Sequence, residues 1–262
     1  MQLAYYKSAK FRKALELLLP QFDLRLAHLI RAGQYIEDLP ILKFVDMTDA
    51  ISMSYQRRQQ LNGNFSWKKV VYLIEQNRLK KYELQKVQKF DRVWLTSQAD
   101  RSFLDPSHVW PIDVIPTGAD IENLPFRPPA SDTRVIVFIG NMVTLQNQDE
   151  CHYFIRSILP KVQAYANVVF RIVGNAPEAL RQQFREYPSV EITGRLDRIQ
   201  DGTEGAFCGV CPVRAGTGIQ TKILEYLALG LPCVTSTVGL SGVEALPGVE
   251  MLVYNDADEA AQ

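Results

Sequence analysis

The sequence predicts an α/β protein whose second half is a doubly wound domain of parallel strands, and three features carry that expectation. Short apolar runs rich in β-branched residues alternate there with longer stretches of helical period, the pattern of parallel strands joined by crossover helices. Glycine-bearing turns follow the runs, at Gly140, Gly174, Gly194 and the Ala215 to Gly218 loop, which puts them together on the carboxyl rim where such sheets bind ligands. Between the halves, Leu124 to Asp132 carries three prolines and breaks both periods, so 125–132 reads as a linker between a domain at 1–124 and one at 133–262.

Taken in order, the second-half strands are Arg134 to Ile139, Val168 to Val173, Val190 to Thr193, Phe207 to Pro212, Pro232 to Ser236 and Met251 to Tyr254, with helices at about 148–163, 177–186 and 220–229. The first half is less regular. It offers a helix from Ser8 to about Leu18, a strand near Leu42 to Asp46 and a long helix from Trp67 to about Phe90. A strand Arg92 to Thr96, a short helix from Gln98 and a strand Asp113 to Ile115 complete it. An α/β domain seldom opens on an amphipathic helix, and Asp256 to Gln262 resembles the start of another helix. The expectation is a chain truncated relative to its fold at both ends, with an incomplete first domain.

Bulk properties exclude several function classes. The chain has 262 residues, 29 Lys plus Arg against 29 Asp plus Glu, and no apolar run near the roughly 20 residues of a spanning helix. That predicts a soluble or peripheral protein of the cytoplasm, at most against the inner face of the membrane. The four cysteines predict no metal site: Cys208 and Cys211 form a single C-x-x-C pair, and Cys151 and Cys233 stand far from it, whereas zinc takes about four ligands. Charge is locally uneven, because ten Lys and Arg residues between Met53 and Arg92 face three acids. A basic helix over 68–92 could contact anionic lipid; the alternative is a solvated helix face. No motif accompanies the charge that would point to nucleic acid.

The strongest chemical signal is Pro212 to Pro232, a strand end, a glycine loop, a helix and a Gly-Leu-Pro stop. Gly216 and Gly218 let backbone approach a ligand, and the N–H groups opening the helix, at Gln220, Thr221 and Lys222, suit a pyrophosphate. Lys222 adds positive charge. Glu225, one turn on, can accept paired hydrogen bonds from two adjacent sugar hydroxyls, as a ribose offers. The plainer reading is a turn, a solvated lysine and a surface glutamate. A dehydrogenase is disfavoured, since no Gly-x-Gly-x-x-Gly follows a strand.

In company these residues resemble the glycosyltransferase group 1 family, and within it bacterial sugar transferases associated with exopolysaccharide. The likeness is carried by Val137-Phe-Ile-Gly-Asn-Met142, Asn147, Arg171-Ile-Val-Gly-Asn-Ala-Pro177, Ile192-Thr-Gly-Arg195, Pro212 to Pro232 and Val234 to Gly242. In the first half, His28-Leu-Ile-Arg31, Val45 to Ser52, Lys81-Tyr-Glu83, Thr96 to Asp100 and Val114 to Asp120 also have counterparts. The resemblance implies a GT-B enzyme, two Rossmann-like domains facing across a cleft. Such an enzyme would move a sugar, with retention, from a UDP- or GDP-sugar to a glycan or lipid-linked acceptor in polysaccharide assembly. It implies no cofactor and no metal.

By the same resemblance Gly140, Asn141, Gly174, Arg195, Arg214, Gly216, Thr217, Gly218, Ile219, Gln220, Thr221, Lys222 and Glu225 bind the donor, and Lys222, Glu225 and Asp49 serve catalysis. His28 and Arg31 lie on the acceptor side. Two departures from the family stand out. Thr217 replaces the first of two glutamates spaced seven apart, and Asn141 and Asn147 stand where relatives place Arg and Lys on the phosphates. Positive charge must then come from Lys222, helped by Arg214 or Arg195. Asp49 has a plain alternative as a helix N-cap, and His28 one as a supporting side chain. The runner-up function is a nucleotide-binding fragment without transfer activity.

Overall fold

The computed structural model describes residues 6–61, 67–128 and 134–262. The chain forms two compact units, Met1–Pro116 and Thr117–Gln262. The division falls before the proline-rich segment because Ala119 and Leu124 pack into the core of the second unit, so 117–124 belongs to that unit. Part of the expected linker, 129–132, lies outside the described residues.

The first unit opens with α1 (Ala9–Leu18), whose Ser8 hydroxyl accepts from the Phe11 amide. It continues through β1 (Leu24–His28), α2 (Ile30–Gly33), β2 (Leu42–Thr48), α3 (Ile51–Leu61), α4 (Trp67–Val87), β3 (Arg92–Leu95), α5 (Gln98–Leu104) and β4 (Ile112–Val114). The strands form one parallel sheet in the order β1-β2-β3-β4, over a core that includes Val45, Met47, Val93 and Leu95. Leu29 and Thr48, just after β1 and at the end of β2, both have φ of +66°, an unfavourable conformation for residues with branched side chains.

In the second unit the strands β5 (Val135–Ile139), β6 (Val169–Val173), β7 (Val190–Gly194), β8 (Ala206–Cys211), β9 (Cys233–Ser236) and β10 (Leu252–Tyr254) are all parallel. Their order is β10-β9-β8-β5-β6-β7. The chain therefore starts in the middle of the sheet, winds outward one way to β7, returns to β8 and winds out the other way. That reversal beside β5 creates a crevice at the carboxyl ends. Successive residues of β5 feed opposite faces, Ile136 and Phe138 into one core and Val137 and Ile139 into the other. Burial on both faces is why these strands read as unbroken apolar runs.

The helices of this unit are α6 (Leu145–Tyr153), α7 (Leu159–Gln163), α8 (Glu178–Phe184), α9 (Ile199–Gly202), α10 (Thr221–Leu229) and α11 (Thr237–Leu240). A widened π turn, Phe154–Ile158, joins α6 to α7. Pro160 accounts for it, because its ring nitrogen has no hydrogen to give the preceding turn. Left-handed Gly230 closes α10, with the Leu231 amide donating back to the Tyr226 carbonyl at 2.9 Å. The Tyr226 ring lies against Gly209, and its hydroxyl accepts from the Ile139 amide at 2.9 Å and donates to the Val210 carbonyl at 3.1 Å. This side chain thereby anchors α10 to the β5 and β8 strands that flank the crevice.

Candidate functional site

At the carboxyl end of β5 the chain turns at Gly140, whose amide donates to the Val173 carbonyl of β6 at 3.0 Å. The neighbouring turn must carry glycine: Gly174 has φ of +146°, and a Cβ there would stand 2.1 Å from the Gly140 carbonyl oxygen. The Met142 amide also donates to the Asn175 carbonyl, at 2.8 Å, so the turns after β5 and β6 form one surface. Gly174 bridges in turn to Gly194 at the end of β7.

This surface walls a cavity of about 630 Å³. Gly140, Asn141 and Asn147 come from the β5 side, Gly174 from β6 and Arg195 with Leu196 from beyond β7. Ile219, Gln220, Thr221, Lys222 and Glu225 close it from α10. The start of α10 has no side-chain cap, which leaves its N-terminal dipole for a ligand. Half-buried Glu225 also lines a second cavity of about 520 Å³, together with Asp120, Asn123 and Arg198. Burial raises the Glu225 carboxyl above its ordinary range, and the charge of Lys222 opposes the rise.

Three expected donor-site residues lie outside the wall of the larger cavity, which begins at Ile219. Gly216 and Gly218 are buried, and the Gly218 carbonyl is pressed against Gly242; Thr217 lies between them. Arg214 is likewise no cavity residue. Its guanidinium grips the Asp149 carboxylate with two hydrogen bonds and stacks over the Tyr153 ring at 4.7 Å. Arg195 faces the cavity with no ion pair among the described residues.

Lys222 is in place but is not a solvated cation. It is 6% exposed, ion-paired to Glu150, which is 1% exposed, and donates to the Asn147 side-chain oxygen at 3.0 Å. The Asn147 side-chain Nδ2 donates to the Asn141 backbone carbonyl at 2.8 Å. The two asparagines that depart from the family pattern thus belong to one network with the lysine. Glu150 was not legible as part of it, since an Asp-Glu pair on a polar helix face carries no local signal.

In the first unit His28, the last residue of β1, pairs through Nδ1 with Asp46 at 2.9 Å and is largely exposed. Arg31 donates to the Tyr6 hydroxyl at 2.9 Å. Asp49 follows β2 and precedes α3, where carboxylates distant in sequence serve the helix start. The Ala50 amide donates to Asp100 at 2.8 Å, and the Ser52 amide and hydroxyl to Glu83. Burial pushes the Glu83 carboxyl up to about 7, against the pull of its Ser52 and Ile51 hydrogen bonds and with help from Asp49. Asp100 and Glu83 lie 50 and 31 positions from the amides they serve, so neither leaves a local capping signal in the sequence.

The basic stretch is largely paired within its own unit. Lys86 bonds Glu37, Lys89 bonds Asp38, Arg92 meets Asp113 and Arg78 meets Glu75, while Lys80 sits over the Phe103 ring. The side chains of Lys68 and Lys69 lie outside the described residues. Among those described, no helix is long and apolar enough to cross a membrane, and no group of three His, Cys, Asp or Glu residues could hold a metal.

Residues 133–262 match the family described as Glycosyl transferases group 1. Several solved structures resemble the whole chain. Anabaena Alr3699/HepE in complex with UDP and glucose aligns with a TM-score of 0.72 at 16% identity, over 97% of this chain and 70% of that one. S. aureus TarM in complex with fondaparinux, alpha-GlcNAc-glycerol and UDP aligns at 0.66 and 16%, over 95% and 50%. The OtsA apo structure aligns at 0.64 and 14%, over 99% and 67%. The chain spans about half the length of TarM. At such identities the likeness establishes the fold alone, GT-B, with each Rossmann-like unit built around its own parallel sheet. No curated protein matches the chain.

Proposed function

We propose that the second unit is a glycosyltransferase domain that binds a nucleoside-diphosphate sugar in the cavity walled by Gly140 and Lys222, and that the protein transfers the sugar, with retention, to a glycan or lipid-linked acceptor. One observation carries this reading: the uncapped start of α10, Lys222 and Glu225 share a single cavity with the glycine turns of β5 and β6. The amides and dipole at Thr221 and Lys222 suit a diphosphate, and Arg195 opposite adds a cation. Glu225, one turn along α10 and between the two cavities, has the reach to accept from both ribose hydroxyls. As the sugar departs, negative charge grows on the diphosphate, and fixed amides with Lys222 stabilise it there without reorganising. That route asks for no cofactor.

UDP is the favoured diphosphate, because HepE was solved with UDP-glucose and TarM with UDP, and GDP is the alternative. On the first unit, His28, Arg31 and Asp49 lie at the carboxyl ends of β1 and β2; in this reading His28 and Arg31 serve the acceptor side and Asp49 serves catalysis near the acceptor. A role in polysaccharide assembly follows from the family resemblance. The basic stretch at 68–92 is not assigned to lipid, since Glu37, Asp38, Glu75 and Asp113 pair with four of its cations, Lys86 and Arg78 on α4 and Lys89 and Arg92 beyond it.

Calorimetric titration with UDP, GDP and NAD tests the reading. One nucleoside diphosphate binds, NAD does not, and Glu225→Ala weakens binding at least tenfold, about 1.4 kcal/mol. Failure of folded protein to bind either diphosphate refutes the donor site. Binding with no release of UDP or GDP from its sugar conjugates, across a panel of glycan acceptors, replaces transfer with binding alone.

A further inference from the structure

The cation at the floor of the cavity depends on a carboxylate that does not line it. An ammonium has three N–H donors. Lys222 directs one to Glu150 and one to Asn147, and the ring of Phe138 lies 4.2 Å from its nitrogen. Glu150 also accepts from the Gln146 side-chain Nε2 at 3.0 Å, and the same Nε2 donates to the Gln220 side-chain oxygen at 3.1 Å. The network therefore ties α6 to the start of α10, while Glu150 stays behind Lys222 as seen from the cavity.

An isolated buried ammonium gives up its proton rather than remain charged. The titratable groups facing Lys222 are Glu150 and Cys151 from α6, Cys211 from β8 and Glu225 on α10 itself. Burial holds both cysteines as thiols, which leaves the carboxylates as the counter-charges, and only Glu150 is in contact. Burial drags the Lys222 ammonium down, but Glu150 outweighs it and the net direction is up.

We propose that Glu150 is the positioning residue of the anion site, holding Lys222 charged and aligned so that its third N–H meets a phosphate oxygen. The nucleoside part of that ligand rests on the function proposed above, whereas the role of Glu150 requires only a phosphate anion. Two asparagines stand where cations would otherwise line the phosphates, which leaves Lys222 with Arg195 across the cavity, and the buried lysine's protonation needs support from behind.

The test compares pyrophosphate and UDP affinities of the wild type and Glu150→Gln by calorimetry from about pH 7 to about pH 9.5, taking their ratio so that ligand ionisation cancels. If Glu150 keeps Lys222 charged, the variant's deficit grows at least tenfold across that range, and adding Lys222→Arg, which cannot lose its proton, flattens it. A deficit constant with pH means Glu150 only packs, and overturns the proposal. Pyrophosphate binding without nucleoside diphosphate binding leaves it standing while the proposed function fails. If the wild type binds neither, both fall. Should Glu150→Gln not fold, the ¹³Cε resonance of Lys222 in the wild type decides: it stays in the charged position throughout and shifts with pyrophosphate, or the proposal is wrong.

Discussion

Replacing Gly174 by alanine strikes the joint between two walls of the cavity. The φ of +146° is strained for any L side chain, worth about 1–3 kcal/mol. The added Cβ would also lie 2.1 Å from the Gly140 carbonyl oxygen and 2.9 Å from its carbon, both backbone atoms. Relief requires the Gly140–Asn141 peptide to move by about an ångström, yet its flanks are held by the Gly140 amide on the Val173 carbonyl and by the Asn147 side-chain Nδ2 on the Asn141 carbonyl. Overpacking of this kind costs about 1–3 kcal/mol. The expected loss is roughly 4 kcal/mol, or a fall in Tm on the order of 10 °C for a unit of this size.

Urea and thermal unfolding followed by circular dichroism measure the loss, with Gly248→Ala as control. Gly248 has φ of +77° and nothing within 4 Å of a built Cβ, so that variant reports backbone strain alone, about 1 kcal/mol. If Gly174→Ala costs no more than Gly248→Ala, the turns after β5 and β6 yield freely and the rigid-wall account of the cavity is wrong.

Three further outcomes concern buried groups. Glu83 is raised from 4.5 to about 7 on folding, so the stability it favours is full below about pH 4.5 and is lost as pH rises through 7. Glu83→Gln should therefore gain roughly 3 kcal/mol on the wild type between about pH 4.5 and pH 8; parallel urea-unfolding profiles would contradict the burial. Tyr226→Phe leaves the Ile139 amide without its acceptor and should cost about 1–3 kcal/mol in the same assay. A loss below a few tenths would mean the hydroxyl is dispensable to the β5–β8 junction. All four cysteines are buried, and burial pushes Cys208 and Cys211 up to about 12, so mass spectrometry should find no iodoacetamide adduct on native protein at about pH 8.

The parallel architecture of the second unit was legible because its strands are buried on both faces and leave apolar runs that differ from the observed strands by a residue or two, as Arg134 to Ile139 does from Val135–Ile139. The first unit was harder. In β1, exposed Leu24 and Leu26 alternate with Arg25 and Ala27, so the apolar face lacks the usual relation to the core and the strand leaves no clear pattern in the sequence. The helix α3 carries a run of Gln and Arg with little apolar period, and from sequence it was noticed only through the cap position at Asp49.

Local chemistry decided what the sequence could determine alone: strand, glycine turn and helix start are contiguous in Pro212 to Pro232, and a backbone turn needs only its own residues. Partners of charged side chains are another matter. Lys222 meets Glu150 72 positions away, Arg214 is drawn 65 positions back to Asp149 and off the cavity, and Gly218 is pressed against Gly242. Crossover connections bring such groups together, and Coulomb energy and desolvation depend on distance in space. The tertiary structure alone therefore decided that Arg195 and not Arg214 joins Lys222 at the cavity, and which carboxylate stands behind the lysine.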